Sequence, residues 1–476
     1  TVFIEPYLER GRHIEVQILG DDHGNVVHLG ERDCSVQRRN QKVIEEAPAP
    51  GLDDGTRRAL AEGALALARH VGYCNAGTVE FLVGEDGTVN FLEVNTRLQV
   101  EHPVTEAVTG LDLVELQLRV AAGEELPLRQ EDVTLEGHAV EARLVAEDPA
   151  AGWMPSTGRV ERFEVPPTVR CDAAVREGSE VSTDYDSLLA KVIAHAPDRA
   201  TAVAVLGRAL RSSQVAGPRT NLAMLVAATE EADFAQGGVT TRYLDEHPSV
   251  VSARCPDGED RTASLITAVM VDREGARRAD RVWGFAPAGW RNLAVQGTRS
   301  EWRDVDTGDV VAVEVTAEHD GVSQVLVGPW PTSDDQGALV PDVRTARRVR
   351  VAPVAGDALA IEIDGRRRTL QVDCTAAGLT VAGPAGAATW APEPRFMDHD
   401  LGMAGSGPVA PLPGTVLAVH VSDGATVGDG DALVVIEAMK MEHVIRAAAD
   451  ATVTEVLVAV GDRVDAGELL VLLEAD

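Results

Sequence analysis

The C-terminal end of this chain repeats itself. Residues 414–438 align without a gap on residues 451–475, an offset of 37, with 11 identities in 25. Gly424 falls on Gly461, Val427 on Val464, Gly430 on Gly467, and Glu437-Ala438 on Glu474-Ala475. Self-similarity at a fixed offset marks one structural unit used twice. Each copy reads as short alternating strands broken by Asp-Gly or Gly-Asp turns. Two such copies closing on each other predict a small, flattened β-barrel of quasi-twofold symmetry. Lys440 follows the first copy and precedes the second. That order predicts an exposed lysine at the turn joining them.

Lysine is otherwise scarce. Only Lys42, Lys191 and Lys440 occur among 43 basic Lys and Arg residues. A guanidinium stays protonated and is a poor nucleophile, whereas a primary amine can be acylated to a neutral amide. A lone surface lysine between two core methionines is the plainer alternative, and the repeat argues against it. The Ala438-Met439-Lys440-Met441 segment resembles the biotin-attachment site of biotin-dependent carboxylases. Lipoyl domains are similar in architecture, but their modified lysine usually follows Asp. The flanking methionines favour biotin.

At 476 residues the chain predicts three or four domains. No apolar run is long enough to span a membrane. A net charge of −33 argues against nucleic-acid and anionic-membrane partners. The five cysteines, Cys34, Cys74, Cys171, Cys255 and Cys374, are scattered and form no CxxC pair. That pattern predicts reduced thiols and a cytoplasmic protein.

Residues 80–93 (EFLVGEDGTVNFLE) read as a β-hairpin turning on Asp86-Gly87. Glu85 then pairs with Thr88, and Glu80 falls opposite Glu93. Like charges placed opposite each other destabilise a ladder. A divalent cation between them removes the penalty, and carboxylate oxygens suit Mg²⁺. Beyond Glu93, residues Asn95, Arg97, Gln99 and Glu101 share one parity, which places them on one strand face. A solvated strand edge, with Val94, Leu98 and Val100 inward, is the alternative.

The run Glu93 to Thr105 (EVNTRLQVEHPVT) closely resembles the active-site segment of biotin carboxylases in the ATP-grasp superfamily. Further collinear matches are residues 12–17 (RHIEVQ), 31–39 (ERDCSVQRR), 41–48 (QKVIEEAP), 137–143 (GHAVEAR) and 185–191 (YDSLLAK). The resemblance spans roughly residues 1–247. With the C-terminal motif, it identifies an α subunit of an acyl-CoA carboxylase of the methylcrotonyl, propionyl or acetyl type.

The resemblance implies a role for each matched residue. Glu101 is the general base that deprotonates bicarbonate for attack on ATP. Arg97, Gln99 and the backbone of Val100 hold bicarbonate, Arg97 by a bidentate fork. Glu80, Glu93 and Asn95 bind Mg²⁺ or Mn²⁺. Lys42 contacts bicarbonate or carboxyphosphate, and Arg143 steadies negative charge developing on the biotin ureido group. Glu5, His13 and Gln37 line the nucleotide site, and Lys440 carries biotin. Lys191 is expected to be structural, through a salt bridge with a nearby acid. Implied partners are a carboxyltransferase (β) subunit, a biotin-protein ligase, bicarbonate, and an acyl-CoA held by the β subunit, in a hetero-oligomer.

The fold class implied is multidomain α+β. Residues 1–125 form the C-terminal part of an ATP-grasp domain and 134–247 a biotin carboxylase C-terminal domain. Residues 255–395 form a β-rich, barrel-like docking region, 396–410 a flexible linker, and 411–476 the biotinyl domain. Apolar spacing predicts helices at 57–71 and 105–122, the second with Leu111, Val114 and Leu118 as its stripe. Strands are expected at 138–145 and 159–165, and helices at 198–212 and 219–231. The middle region reads as strands at 309–316, 322–327, 343–354, 358–373 and 377–381, with a tight hairpin at Asp364-Gly365. A TIM barrel needs on the order of 250 residues. The middle region is far shorter, so the carboxyltransferase is expected on another polypeptide that docks there. The glycine-rich phosphate lid of the ATP-grasp family has no counterpart in this sequence, which implies N-terminal truncation. Two readings follow: a catalytic α subunit, or a carrier that only presents biotin.

Overall fold

The computed structural model describes residues 7–254, 256–286, 288, 297–318, 321–330, 344–353, 358–375, 377–383, 385–395, 407–438, 441–465 and 467–475. The N-terminal half is organised by one antiparallel sheet. Its elements are β1 (Gly11–Gly20), β2 (Val26–Arg38), β3 (Gln41–Ala47), β4 (Asn75–Gly84), β5 (Val89–Asn95) and β6 (His138–Val145). Strands Arg170–Ala173 and Leu188–Ala196 complete it. In space the order runs Arg170–Ala173, Leu188–Ala196, β6, β3, β2, β1, β4, β5. The sheet is therefore continuous from residue 11 to residue 196.

Strict alternation along the strands gives this sheet its two faces. On β1, Ile14, Val16 and Ile18 pack with Val79, Phe81 and Val83 of β4 against helix α1 (Asp54–Val71), which offers Leu60, Ala64 and Ala68. The intervening His13, Glu15 and Gln17 project from the other face and are also buried. Across β6, Val140, Ala142 and Leu144 join Val192 and Ala194 under α4 (Arg199–Ser212) and α5 (Leu222–Glu230). Polar residues inside both layers at alternate positions are what a site on a sheet requires.

Residues 105–122 do not form one helix. Gly110 adopts φ +71° and ends α2 (His102–Thr109); α3 (Leu113–Ala121) restarts with Asp112 capping it. The restart rotates the buried stripe to Leu113, Leu116 and Val120, leaving Val114 and Leu118 exposed. The β4–β5 hairpin differs by one residue from its expected turn. Gly84 N–H donates to the Thr88 carbonyl, so the loop holds Glu85, Asp86 and Gly87. A register shift beyond Phe81 then restores Glu80 opposite Glu93. The expected strand at 159–165 is interrupted, running as Gly158–Arg159 and Arg162–Glu164.

The middle region is a closed barrel of eight antiparallel strands, from Thr298–Asp304 to Gly386–Pro392. Asp364 and Gly365, at φ +51° and +81°, form its two-residue hairpin turn between Ile363 and Arg366. Helix Gly258–Ala279, absent from the sequence reading, shares the barrel core. Its Leu265, Ile266 and Val269 pack with Trp302, Val313 and Trp390. The Trp390 indole N–H donates to Ser264 Oγ at 2.9 Å. The ion pair Arg162–Asp373 and the bond from Arg219 Nη2 to the Val305 carbonyl at 2.6 Å tie this region to the sheet domain.

The C-terminal repeat is realised strand for strand. Gly414–Val419, Thr426–Val427 and Ala432–Ala438 correspond to Ala451–Val456, Arg463–Val464 and Val471–Ala475. Each copy's first strand pairs with its own third strand and with the short middle strand of the other copy. An additional strand, Met441–Arg446, stands between the copies, so the join is longer than a single turn. Ala438 pairs with Met441. Between them Met439 and Lys440 lie outside the described residues, as do Glu5 and most of the linker at 396–410. Among the described residues no helix is long and apolar enough to cross a membrane.

Candidate active site

Direct cross-strand pairing assembles a row of charge on one sheet face. Glu93 on β5 stands opposite Glu80 on β4, Glu80 opposite Glu15 on β1, and Glu15 opposite Arg32 on β2. Lys42, at the start of β3, reaches into this row. Its Nζ donates to Glu15 Oε2 at 2.5 Å, Glu80 Oε1 at 2.9 Å and Glu101 Oε1 at 2.5 Å. Arg143 on β6 closes the far side, with Nε 2.5 Å from Glu45 Oε1 and Nη2 3.0 Å from Glu101 Oε2. Glu101 is thus clamped between two cations, one on each oxygen.

The segment after β5 folds back over the row. The strand ends at Asn95, so Arg97, Gln99 and Glu101 are delivered by a loop and the cap of α2 rather than by one continuous strand. Gln99 Nε2 donates to Glu80 Oε1 at 2.6 Å, and its Oε1 accepts from Arg32 Nη2 at 3.0 Å. Asn95 Nδ2 lies 3.0 Å from Glu80 Oε1 and 3.1 Å from Glu93 Oε1. Lys191 Nζ donates to the Val100 carbonyl at 2.9 Å and sits 3.5 Å from Asp172, so its role is structural support of the loop. His13 Nε2 lies 3.0 Å from Glu80 Oε2. These side chains open on a cavity of about 850 Å³.

Residues 1–129 match the family described as carbamoyl-phosphate synthase L chain, ATP binding domain. Residues 141–246 match the biotin carboxylase C-terminal domain, and 402–473 the family described as biotin-requiring enzyme. The propionyl-CoA carboxylase alpha chain of Ruegeria pomeroyi is 38% identical, over 99% of this chain and 71% of its own length. The chain belongs to the α subunits of biotin-dependent acyl-CoA carboxylases. The mitochondrial methylcrotonoyl-CoA carboxylase subunit alpha of Rattus norvegicus is 36% identical over the whole chain, which spans 66% of that relative. The solved biotin carboxylase domain of Hydrogenobacter thermophilus 2-oxoglutarate carboxylase, in complex with MgADP, ADP and bicarbonate, is 46% identical with a TM-score of 0.52. That match covers 52% of this chain and 56% of the solved one.

Of the residues singled out from sequence in this α subunit, Lys42, Glu80, Glu93, Asn95, Arg97, Gln99, Val100, Glu101, Arg143 and His13 line the one cavity. Gln37 stands opposite Lys42 across β2 and β3, its Oε1 buried without a hydrogen-bond partner. Asn40 occupies the β2–β3 turn with Arg39, at φ +66° and +47°, a conformation that Asn tolerates well. Sequence reasoning gave no role to Glu15, Arg32, Glu45 or Glu141. For Glu15 and Glu141 the signal was a charged residue between apolar neighbours inside a buried strand; Arg32 and Glu45 have charged neighbours and gave no such signal.

The electrostatics follow from burial against charge. Burial alone would raise Glu15, but Arg32 and then Lys42 override it and hold the carboxyl at about 2. Burial also opposes ionisation of Glu80, yet the contacts from His13 and Lys42 bring it to about 2. Burial would lower Lys42; Glu15, Glu101 and Glu80 keep it charged, shifted upward. Both glutamates have folded values below their unfolded ones. Their contribution is therefore complete above about pH 4.5 and lost as pH falls towards 2. For Glu15 the shift corresponds to on the order of 3 kcal/mol. Urea unfolding over this range should show stability falling with acidification, with a shallower slope in Glu15→Gln. Parallel slopes would contradict the assignment.

Proposed function

We propose that this chain is the biotin-carboxylating α subunit of a cytoplasmic acyl-CoA carboxylase, using ATP and bicarbonate to load biotin held on its own Lys440. The observation that carries the reading is Glu101 fixed between Lys42 and Arg143, in the cavity that also holds the Glu80, Glu93 and Asn95 oxygens. Glu101 turns one carboxylate oxygen to each cation and lines the cavity, where it can take the bicarbonate proton. The exposed Arg97 guanidinium and the second Nε2 hydrogen of the buried Gln99, whose first goes to Glu80, would orient bicarbonate. Lys42 and Arg143 supply positive charge where phosphoryl and ureido oxygens gain negative charge.

The Glu80 and Glu93 carboxylates, spanned by Asn95 Nδ2 at 3.0 and 3.1 Å, would with the Asn95 side-chain oxygen hold Mg²⁺ or Mn²⁺, which would supply positive charge against phosphate. The orphaned Gln37 Oε1 and the His13 ring offer polar contacts to a nucleotide. Biotin supplies a ureido nitrogen that accepts a carboxyl group and carries it to a second site. Transfer to an acyl-CoA then falls to a separate carboxyltransferase subunit, docked on the eight-stranded barrel. A biotin-protein ligase must first modify Lys440.

The test is phosphate release by purified, biotinylated chain. Release that requires both bicarbonate and biotin supports the catalytic reading. Release absent under all conditions, with biotin present on Lys440, leaves only the carrier role.

A further inference from the structure

Two carboxylates at the closed end of the site have no part in the chemistry above. Glu45 on β3 and Glu141 on β6 are direct partners across their antiparallel pair. Their side chains therefore leave the sheet on the same face, with Cβ atoms about 5 Å apart. Both residues are fully buried. Glu45 Oε1 accepts from Arg143 Nε at 2.5 Å, but Glu45 Oε2 and both oxygens of Glu141 are buried without any hydrogen-bond partner. Two adjacent buried carboxylates, both ionised and short of donors, would be costly. One proton removes the repulsion and supplies the missing donor, an O–H of Glu141 directed to Glu45 Oε2.

The surrounding groups agree with this count. Lys42 and Arg143 lie on the same two strands as the pair. On the neighbouring strand Ile193 stands opposite Glu141, and Lys191 opposite Arg143. Helix α2 covers this face by packing Val104 and Val108 against Ala139 and Ile193. Its titratable groups are engaged elsewhere. Glu101 bonds Lys42 and Arg143, His102 Nδ1 lies 2.7 Å from the Gln99 carbonyl, and Glu106 accepts from Arg170 at 2.7 Å. With Lys191 paired to Asp172 at 3.5 Å, Arg32, Lys42 and Arg143 face the carboxylates of Glu15, Glu80, Glu101 and Glu45, and neither oxygen of Glu141 has a partner. Burial, then the Glu45 charge, pushes the Glu141 carboxyl far up, while burial brings Glu45 to about 7 despite Arg143.

We propose that Glu141 keeps its proton in the folded protein at neutral pH and, with Glu45, forms a one-proton carboxyl pair that positions Arg143 beside Glu101. Glu141 is a positioning residue; it acts through Glu45 on the guanidinium. Only the catalytic consequence rests on the function proposed above.

The experiment has one arm without activity and one with it. In the first, infrared spectra of the full chain carrying isotope-labelled glutamate carboxyls are recorded at neutral pH. A protonated-carboxyl band present in the wild type should be missing in Glu141→Gln. In urea unfolding, the folded wild type retains a proton that the unfolded chain has released, so stability falls as pH rises above the ordinary carboxylate range. Glu141→Gln removes that slope, gaining up to about tenfold in folded-to-unfolded ratio over wild type per pH unit. An unchanged band with equal slopes overturns the proposal.

In the second arm, Glu141→Met, which cannot donate to Glu45, should lower kcat for biotin-dependent ATP cleavage by about tenfold with little change in KM for ATP. Glu141→Gln, which keeps an N–H donor, should restore most of it. Equal losses in Met and Gln overturn the positioning role. A wild type that cleaves no ATP sinks the functional reading instead, and the band and slopes still decide where the proton is.

Discussion

Glu101→Gln should reduce bicarbonate-dependent ATP cleavage by about 10²- to 10⁴-fold, the usual worth of a positioned general base. The amide has the shape of the carboxylate and keeps one oxygen for Lys42, so nucleotide affinity should change little. What it loses is the ability to take a proton. The geometry makes the test clean, because Glu101 is 2% exposed and both its oxygens are already assigned, one to Lys42 and one to Arg143. Steady-state phosphate release with nucleotide affinity measured in parallel separates the two effects. A rate within a few-fold of wild type would remove Glu101 from the role of base.

The largest stability effect is expected at Arg32, a residue that touches no substrate position. Its side chain is fully buried, and its guanidinium donates to Glu15 at 2.6 Å, Gln17 at 2.7 Å, Thr105 at 2.9 Å, Gln99 at 3.0 Å and Thr78 at 3.2 Å. All five N–H donors are used, reaching β1, β4, α2 and the loop before α2. Arg32→Met fills a similar volume but leaves Glu15 Oε1 without its cation and four polar groups without a donor. Removing one partner of a buried pair typically costs about 3–5 kcal/mol. Arg32→Lys restores charge without the planar fork and should fall between the two. Urea unfolding at neutral pH checks the order; a loss below about 1 kcal/mol for Arg32→Met would show that the network relaxes around the gap.

How far these features were legible in sequence depends on whether they are local. The C-terminal barrel was legible because its strands recur at a fixed offset, and the structure reproduces that offset in each strand pair. Glu93 to Glu101 were legible because they fall in one short run that resembles a known active site, and Lys42 and Arg143 because they sit in further collinear matched segments. Arg32, Glu15, Glu45 and Glu141 were not given roles, because what joins them is cross-strand register, Glu15 to Arg32 over 17 residues and Glu45 to Glu141 over 96. Glu80 and Glu93 were placed opposite each other from a two-residue turn. The true turn is one residue longer, and a bulge after Phe81 cancels the error. The helix Gly258–Ala279 was missed because Ala263 to Val269 is buried on every side within the barrel core, which erases the amphipathic period. Residues 105–122 kept a helical period through Gly110, but the left-handed break there rotated the stripe that faces the core.

The most direct measurement follows labelled carbon onto the chain itself. Protein biotinylated in cells is incubated with Mg-ATP and ¹⁴C-bicarbonate, quenched, and digested, and the radioactivity is traced by peptide. Label confined to the biotinyl peptide spanning Lys440, and lost when Lys440 is replaced by Arg or Glu101 by Gln, is the expected result. A biotinylated chain that never acquires label, or an unmodified Lys440 amine by intact mass, would contradict the account.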